Sequence, residues 1–187
     1  MVYCYMRIIG GKFRGKNLNW VSDATTRPTT DRVKENIFNV LVSSGVDFTA
    51  TRVLVLFAGS GQMGIECISR GSTKVVFNDT DQKARDIIYK NCVSIGFIPD
   101  ISGLDYLGTL DRLRGQQFDL VFLDPPFADL NAPINASAFL LQNGMLSPNA
   151  IIVCETECDS LQFDSGFFVR TKKYGRAVIY FLTTTLK

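Results

Sequence analysis

Histidine is absent from this sequence of 187 residues. Its absence excludes a Ser/His/Asp triad, a Cys/His dyad, histidine general bases and histidine metal ligands. Cysteine is sparse and odd in number: Cys4, Cys67, Cys92, Cys154 and Cys158. Dispersed thiols of this kind suit a reducing compartment rather than a disulfide framework. Cys154 and Cys158 have the spacing of half a zinc site. No second ligand pair accompanies them, so a strand thiol and a loop thiol are the simpler reading, and no metal is expected. No apolar run approaches the length of a membrane span. The first residues, Met1-Val-Tyr-Cys-Tyr-Met6, lack the basic start and apolar core of a signal peptide. A cytoplasmic protein without membrane contact is expected.

What is present is ordinary in bulk and uneven in distribution. Hydrophobic residues make up 46% and charged residues 20%, as in globular proteins generally. The length suffices for one α/β domain with a full core and a small appendage. The net charge of +2 hides an asymmetry, because residues 1–36 hold seven basic and three acidic side chains. A basic N-terminal segment on a near-neutral body suggests a polyanion partner held at one end. The division expected is a basic hairpin-and-helix extension over 1–45 and a main domain over 46–187.

The main domain is organised around Val53-Leu-Val-Leu-Phe-Ala-Gly-Ser-Gly-Gln-Met-Gly-Ile-Glu66. Val53 to Phe57 reads as a buried strand, and a helical period begins near Ile65. Gly59 and Gly61 let the backbone turn tightly and approach a ligand. Gly59-x-Gly61-x-x-Gly64 is a literal G-x-G-x-x-G, with Asp79 about twenty residues on, where a ribose-binding carboxylate belongs. This pattern leaves a dinucleotide, another adenosine-containing cofactor and a ligand-free structural turn all open.

Along the chain, runs flanking Gly10-Gly11 predict a β-hairpin over 7–20, with Gly15 as a candidate bulge. It carries Arg7, Lys12, Phe13, Arg14 and Lys16, and basic side chains among aromatics can hold phosphates and stack bases. Thr30 or Asp31 can cap a helix with Val33, Ile37, Val40 and Leu41 on one face. Strands are expected at 74–79, 97–101, 118–123 and 150–154, with a closing antiparallel pair at 167–169 and 177–183. Helices are expected after Asp81, over 106–113 and over 136–143. Alternating strands and helices imply a largely parallel sheet with ligands at the strands' C-terminal ends.

Asp124-Pro125-Pro126-Phe127 follows the fourth strand. Two prolines fix two φ angles and push each preceding residue out of the helical region. The exit is therefore rigid and extended, presenting a carboxylate and the Pro125 carbonyl, with an aromatic ring next. That suits a planar base with an exocyclic amine: two acceptors for its N–H groups and a ring to stack on it.

With both motifs in hand, the sequence resembles S-adenosylmethionine-dependent amino-methyltransferases. Arg7-Ile-Ile-Gly-Gly, Arg14-Gly, Thr26-Arg-Pro-Thr-Thr-Asp-Arg-Val33, Leu56-Phe-Ala-Gly-Ser-Gly61, Ser69-Arg-Gly71 and Tyr174-Gly175 resemble the bacterial RsmD family over nearly the whole chain. The resemblance implies a Rossmann-like class I methyltransferase: a mostly parallel seven-stranded α/β sheet with an antiparallel closing strand and an N-terminal hairpin and helix. It implies S-adenosyl-L-methionine as cofactor and methylation of guanine N2 in 16S ribosomal RNA, in the small-subunit context, by a monomer. By resemblance, Phe57, Ala58, Gly59, Ser60 and Gly61 wrap the methionine end of the cofactor. Asp79 holds the ribose, and Leu104 and Asp105 meet the adenine. Asp124, Pro125, Pro126 and Phe127 hold the target base, while Arg7, Lys12, Arg14, Lys16 and Arg27 meet RNA. Glu66 matches a family glutamate with no role derivable from sequence.

The chain departs from the family at Val55, where an acid usually stands, and restoring an acid is expected to tighten cofactor binding. Asp-Pro-Pro-Phe also serves enzymes acting on adenine N6 or cytosine N4, although the N-terminal motifs argue for the RNA family. A non-catalytic cofactor-binding RNA chaperone of subunit assembly is the reading from another class, with Val55 as its support. An NAD-dependent oxidoreductase leaves Asp-Pro-Pro-Phe without a role.

Overall fold

Apolar strands that alternate with amphipathic helices must bury both faces of a sheet, and the chain does so in sequence order. The computed structural model describes residues 6–20, 30–126 and 129–185. Helix α1 (Asp31–Ser43) is followed by β1 (Arg52–Leu56), α2 (Gln62–Ser69), β2 (Lys74–Asn78), α3 (Gln82–Val93) and β3 (Asp100–Ser102). Then come α4 (Tyr106–Arg112), β4 (Phe118–Leu123), α5 (Asn131–Gln142), β5 (Leu146–Thr156), β6 (Phe168–Tyr174) and β7 (Ala177–Thr183). The seven-stranded sheet has the order β3-β2-β1-β4-β5-β7-β6. All pairings are parallel except those of β7 with β5 and β6. This is the Rossmann-like methyltransferase topology expected from the sequence. No helix among the described residues is long and apolar enough to cross a membrane.

The near-continuous apolar runs of the central strands follow from cover on both faces. Val53, Val55, Phe122, Val153 and Ile179 face a layer built from residues 6–20, α1, α2 and α3. Leu54, Leu56, Leu123, Cys154 and Tyr180 face α4 and α5. Phe38 of α1 lies 6.1 Å, ring to ring, from Phe122 of β4. The strand order reverses between β1 and β4, so the crevice for a ligand opens at the C-terminal ends of those two strands.

The structure corrects several expected elements. The third strand is not 97–101 but Asp100–Ser102, because Gly96 (φ 75°) and Phe97 are consumed in closing α3. The Phe97 amide donates to the Cys92 carbonyl (3.0 Å) and the Gly96 amide to Val93 (2.9 Å), a glycine-terminated helix end. Helix α5 begins five residues earlier than 136. Asp129 Oδ1 accepts from the amides of Asn131 (3.2 Å) and Ala132 (3.0 Å), and Pro133 sits in the first turn, where its missing N–H costs nothing. Strand β5 extends four residues earlier and two later than expected, and β6 runs on to Tyr174.

The N-terminal hairpin has a single ladder bridge, Arg7 with Asn17. Its turn instead spends hydrogen bonds on docking: the Lys12 amide donates to the Ser69 carbonyl (2.6 Å) and the Phe13 amide to Ser69 Oγ (2.9 Å). Gly11 (φ 74°) is required there, since a Cβ would lie 1.9 Å from the Ser69 carbonyl oxygen.

Candidate active site

The loop after β1 is held in a strained form. Phe57 has φ 58°, and it is the one non-glycine residue with positive φ among the described residues. A bulky residue there costs of order 1–3 kcal/mol and is found where surrounding structure imposes it. The ring of Phe57 is held against Tyr106 at 5.4 Å. The Ala58 amide donates to the Asn78 carbonyl (2.9 Å), and the Gly61 amide to Ala58 (2.7 Å). Ser60 is buried; its hydroxyl donates to Met6 Sδ (3.0 Å). Gly64 lets α2 pack on β2, because a Cβ would meet the Phe77 ring at 2.3 Å.

Asp79 is fixed by the same loop. Its Oδ2 accepts from the Gly59 amide (2.8 Å) and its Oδ1 from the Asp81 amide (3.0 Å). A carboxylate aimed this way, half-buried at the end of β2, can accept from paired hydroxyls. The next ridge is set by Asn78, which sequence reasoning passed over. Its buried amide donates to the carbonyls of Leu104 (2.7 Å) and Ser102 (3.3 Å) and to Thr109 Oγ1 (2.8 Å). It ties β2 to the β3–α4 loop. Within that loop Leu104 is exposed, and Asp105 caps α4 by accepting from the Gly108 amide (2.6 Å).

The residues fit an adenosine-containing cofactor with a carboxylate end. Gly61 caps α2 without a side chain, so the helix's first amides are not satisfied from within. Gln62 Oε1 is buried with no partner among the described residues. Nothing crowds Gly59 within 4 Å. These groups lie beside Asp79 and the Asn78-anchored loop, in the order the sequence places them.

Asp124 leaves β4 next to this loop, because Leu56 of β1 pairs with Leu123 of β4. Pro125 is buried and Pro126 exposed; the Pro126 carbonyl accepts from the Asp129 amide (2.9 Å). Phe127 lies outside the described residues. Asp124 itself is open to solvent by surface area. The protein packed around the strand exit nonetheless withdraws its carboxyl from bulk water. That desolvation raises its carboxyl well above the ordinary range, and the like charge of Glu155 adds to the rise. The upward direction is common to both causes.

The basic residues of the arm divide into two kinds. Arg7 Nε pairs with Asp31 (2.8 Å), and Lys16 Nζ donates to the Ser94 carbonyl. Lys12 lies over the Phe13 ring at 5.2 Å, and Arg14 is exposed; neither has an ion pair among the described residues. Arg27 lies outside the described residues.

The family described as "Conserved hypothetical protein 95" matches residues 6–183. The chain is 38% identical over 158 residues to Ribosomal RNA small subunit methyltransferase D of Haemophilus influenzae, covering 82% of this chain and 80% of that protein. It is 33% identical over 161 residues to the Escherichia coli protein of the same name, covering 83% and 76%. Among solved structures, Escherichia coli yhhF, named as a methyltransferase, superposes with a TM-score of 0.80 at 31% identity, over 96% of this chain and 97% of that one. The chain belongs to the RsmD family.

The RsmD match includes the arm, and the structure shows why arm and body travel together. Glu66, without a role in the sequence, is buried in α2: its Oε2 accepts from the Ile9 amide (2.9 Å) and its Oε1 from Arg70 Nε (3.0 Å). Arg70 lies over Phe38 at 4.7 Å. The RsmD-like Gly10 leaves room beside it for the Arg70 guanidinium, which a Cβ would approach to 2.2 Å. Lys34 is buried too, donating to the Arg7 carbonyl (2.5 Å); burial pulls its ammonium below the usual range, against the nearby acids Glu66 and Asp31. Asn91 of α3 is a third node. It exchanges hydrogen bonds with Asn19 (2.9 Å each way along the backbone) and donates to the Ser60 carbonyl (3.1 Å). A polar residue within an apolar helical period is the only sequence signal any of them gives.

Proposed function

We propose that this protein transfers a methyl group from S-adenosyl-L-methionine to the exocyclic N2 of a guanine in 16S ribosomal RNA, within the small ribosomal subunit. The observation that carries the reading is the pairing of Leu56 with Leu123. It sets the glycine loop and the Asp-Pro-Pro exit side by side at the point where strand order reverses. A cofactor gripped by the first is then within reach of a base gripped by the second. The resemblance to the Haemophilus and Escherichia proteins supports RNA as the substrate class.

The cofactor, when bound, supplies an activated methyl group on sulfur. The protein's own part is orientation, worth up to about 7–11 kcal/mol for well-aligned reactants. The Phe57–Gly61 loop and the start of α2 hold the methionine end; Asp79 accepts from the ribose; the loop at Leu104 and Asp105 meets the adenine. Asp124 and the Pro125 carbonyl accept from the N–H groups of the target amine, favouring the geometry in which its lone pair can attack. Phe127 stacks on the base after it leaves its helix, a step costing a few kcal/mol. Residues 1–45 form the RNA-binding extension and 46–187 the catalytic domain, working as a cytoplasmic monomer without a metal ion.

The test is incubation with labelled S-adenosylmethionine and undermethylated small subunits, followed by nucleoside analysis. N2-methylguanosine is the expected product. Label in N6-methyladenine or N4-methylcytosine, or none, overturns the reading. Asp124→Ala should abolish turnover with cofactor binding intact. Phe127→Ala should weaken base capture by about 1–3 kcal/mol, the worth of one base–aromatic stack.

A further inference from the structure

One carboxylate in the crevice has no part in the reading above. Strands β4 and β5 run parallel with Leu123 opposite Cys154. The next residues at that edge are Asp124 and Glu155, neighbours on strands about 4.8 Å apart. Leu123 and Cys154 both face the α4–α5 layer. Glu155 is opposite Ile179, which belongs to the other face. Asp124 precedes a proline and so stays extended, which continues the alternation and brings it to the same face as Glu155. Glu155 is half-buried, and its charge is felt at Asp124.

We infer that Glu155 is the specificity-determining residue of the base pocket, accepting from guanine N1–H while Asp124 accepts from the N2 amine. This rests on the methyl-transfer reading above. Guanine is the base whose pairing edge carries two neighbouring donors, N1–H and the N2 amine. Adenine and cytosine each place a ring nitrogen lone pair beside the exocyclic amine. Two carboxylates side by side therefore match guanine and repel the other two, so selection works by attraction and by repulsion together. A site built to hydrogen-bond a substrate N–H can reject an analogue lacking it by about ten-thousand-fold.

Once nucleoside analysis has located the methylated position, small subunits can be reconstituted with guanine or 2-aminopurine there. 2-Aminopurine keeps the amine but bears a lone pair at N1. The wild-type protein should strongly prefer guanine. Glu155→Gln, near-isosteric and able to donate to that lone pair, should lower kcat/KM on guanine at least tenfold. It should also narrow the guanine to 2-aminopurine ratio by at least tenfold. Its S-adenosylmethionine Kd should match wild type, and its Tm should not fall below wild type. Glu155→Ala should narrow the ratio as well, by removing the repulsion. An unchanged ratio in both variants, or a loss traced to cofactor affinity, overturns the assignment. Wild-type protein that methylates no guanine at all fails the function instead, and the two failures are separable.

Discussion

Asp124 carries a cost that its proposed role explains. Its carboxyl is raised from the ordinary 3.8 by desolvation first and by Glu155 second. Between the unfolded and the folded pKa the native state holds the extra proton, so stability falls as pH rises through that window. Above the folded pKa the full penalty remains. Asp124→Asn should therefore raise Tm at neutral pH while abolishing methyl transfer, and an unchanged or lower Tm would refute the strained-carboxylate account. The same shift fixes the acid limb of the rate. On the proposed mechanism transfer needs the ionised acceptor, so the rate should fall at a higher pH than for an ordinary aspartate. Glu155→Gln removes the like charge and should move that limb to lower pH. Glu66 is the opposite case, a buried carboxylate whose partners are complete. Glu66→Ala should cost about 3 kcal/mol, the lower end for breaking a buried pair, because Arg70 keeps some access to water. Amide exchange at Ile9 and Lys12 should accelerate more than at β1; equal protection would mean the anchor is elsewhere.

At the scale of elements, the strands and caps were legible wherever the cause is local. The apolar runs at Val53 and Phe118, the caps at Thr30 and Asp81 and the closing hairpin at Gly175 all rest on residues a few positions apart. What could not be read depends on distant partners. Glu66 meets Ile9 across 57 positions and Asn91 meets Asn19 across 72. The start of β3 depended on how α3 closes, which a strand-like run at Phe97 concealed. Both motifs of the candidate site stand out in the sequence, yet their adjacency is a matter of strand order, which lies in no single stretch. Val55 shows the same limit. The family pattern suggests that an acid there tightens cofactor binding, but Val55 is 3% exposed, between Phe77 and Phe122 and against Gly64. Burying a carboxylate among these apolar groups costs several kcal/mol. Val55→Asp should lower Tm markedly in thermal unfolding, and a variant as stable as wild type would show that the α2 amides accommodate the acid.

For the whole molecule, the excess positive charge of the first 36 residues has to be apportioned between holding the fold and meeting a polyanion. Arg7 is committed to Asp31 and Lys16 to the end of α3, so both serve docking of the arm. Lys12 and Arg14 stand on the outer turn without ion pairs among the described residues, so their side chains are available to phosphate. Each phosphate contact on single-stranded RNA contributes about 0.7 to the slope of log affinity against log salt. Lys12→Ala with Arg14→Ala should therefore flatten that slope by about 1.4, with affinity lost most at low salt. Among the described residues, the hydrogen bonds between the arm and the glycine loop run through Met6 and the Asn19–Asn91–Ser60 node, and neither substituted side chain takes part in them. Cofactor Kd and Tm should stay at wild-type values in the double variant. Arg7→Ala with Lys16→Ala should behave the other way, lowering Tm with a smaller change in slope. RNA titrations across salt, run beside calorimetry on both pairs, separate the two roles. If the slope survives loss of Lys12 and Arg14, the turn is a docking clip and the RNA is held by another surface.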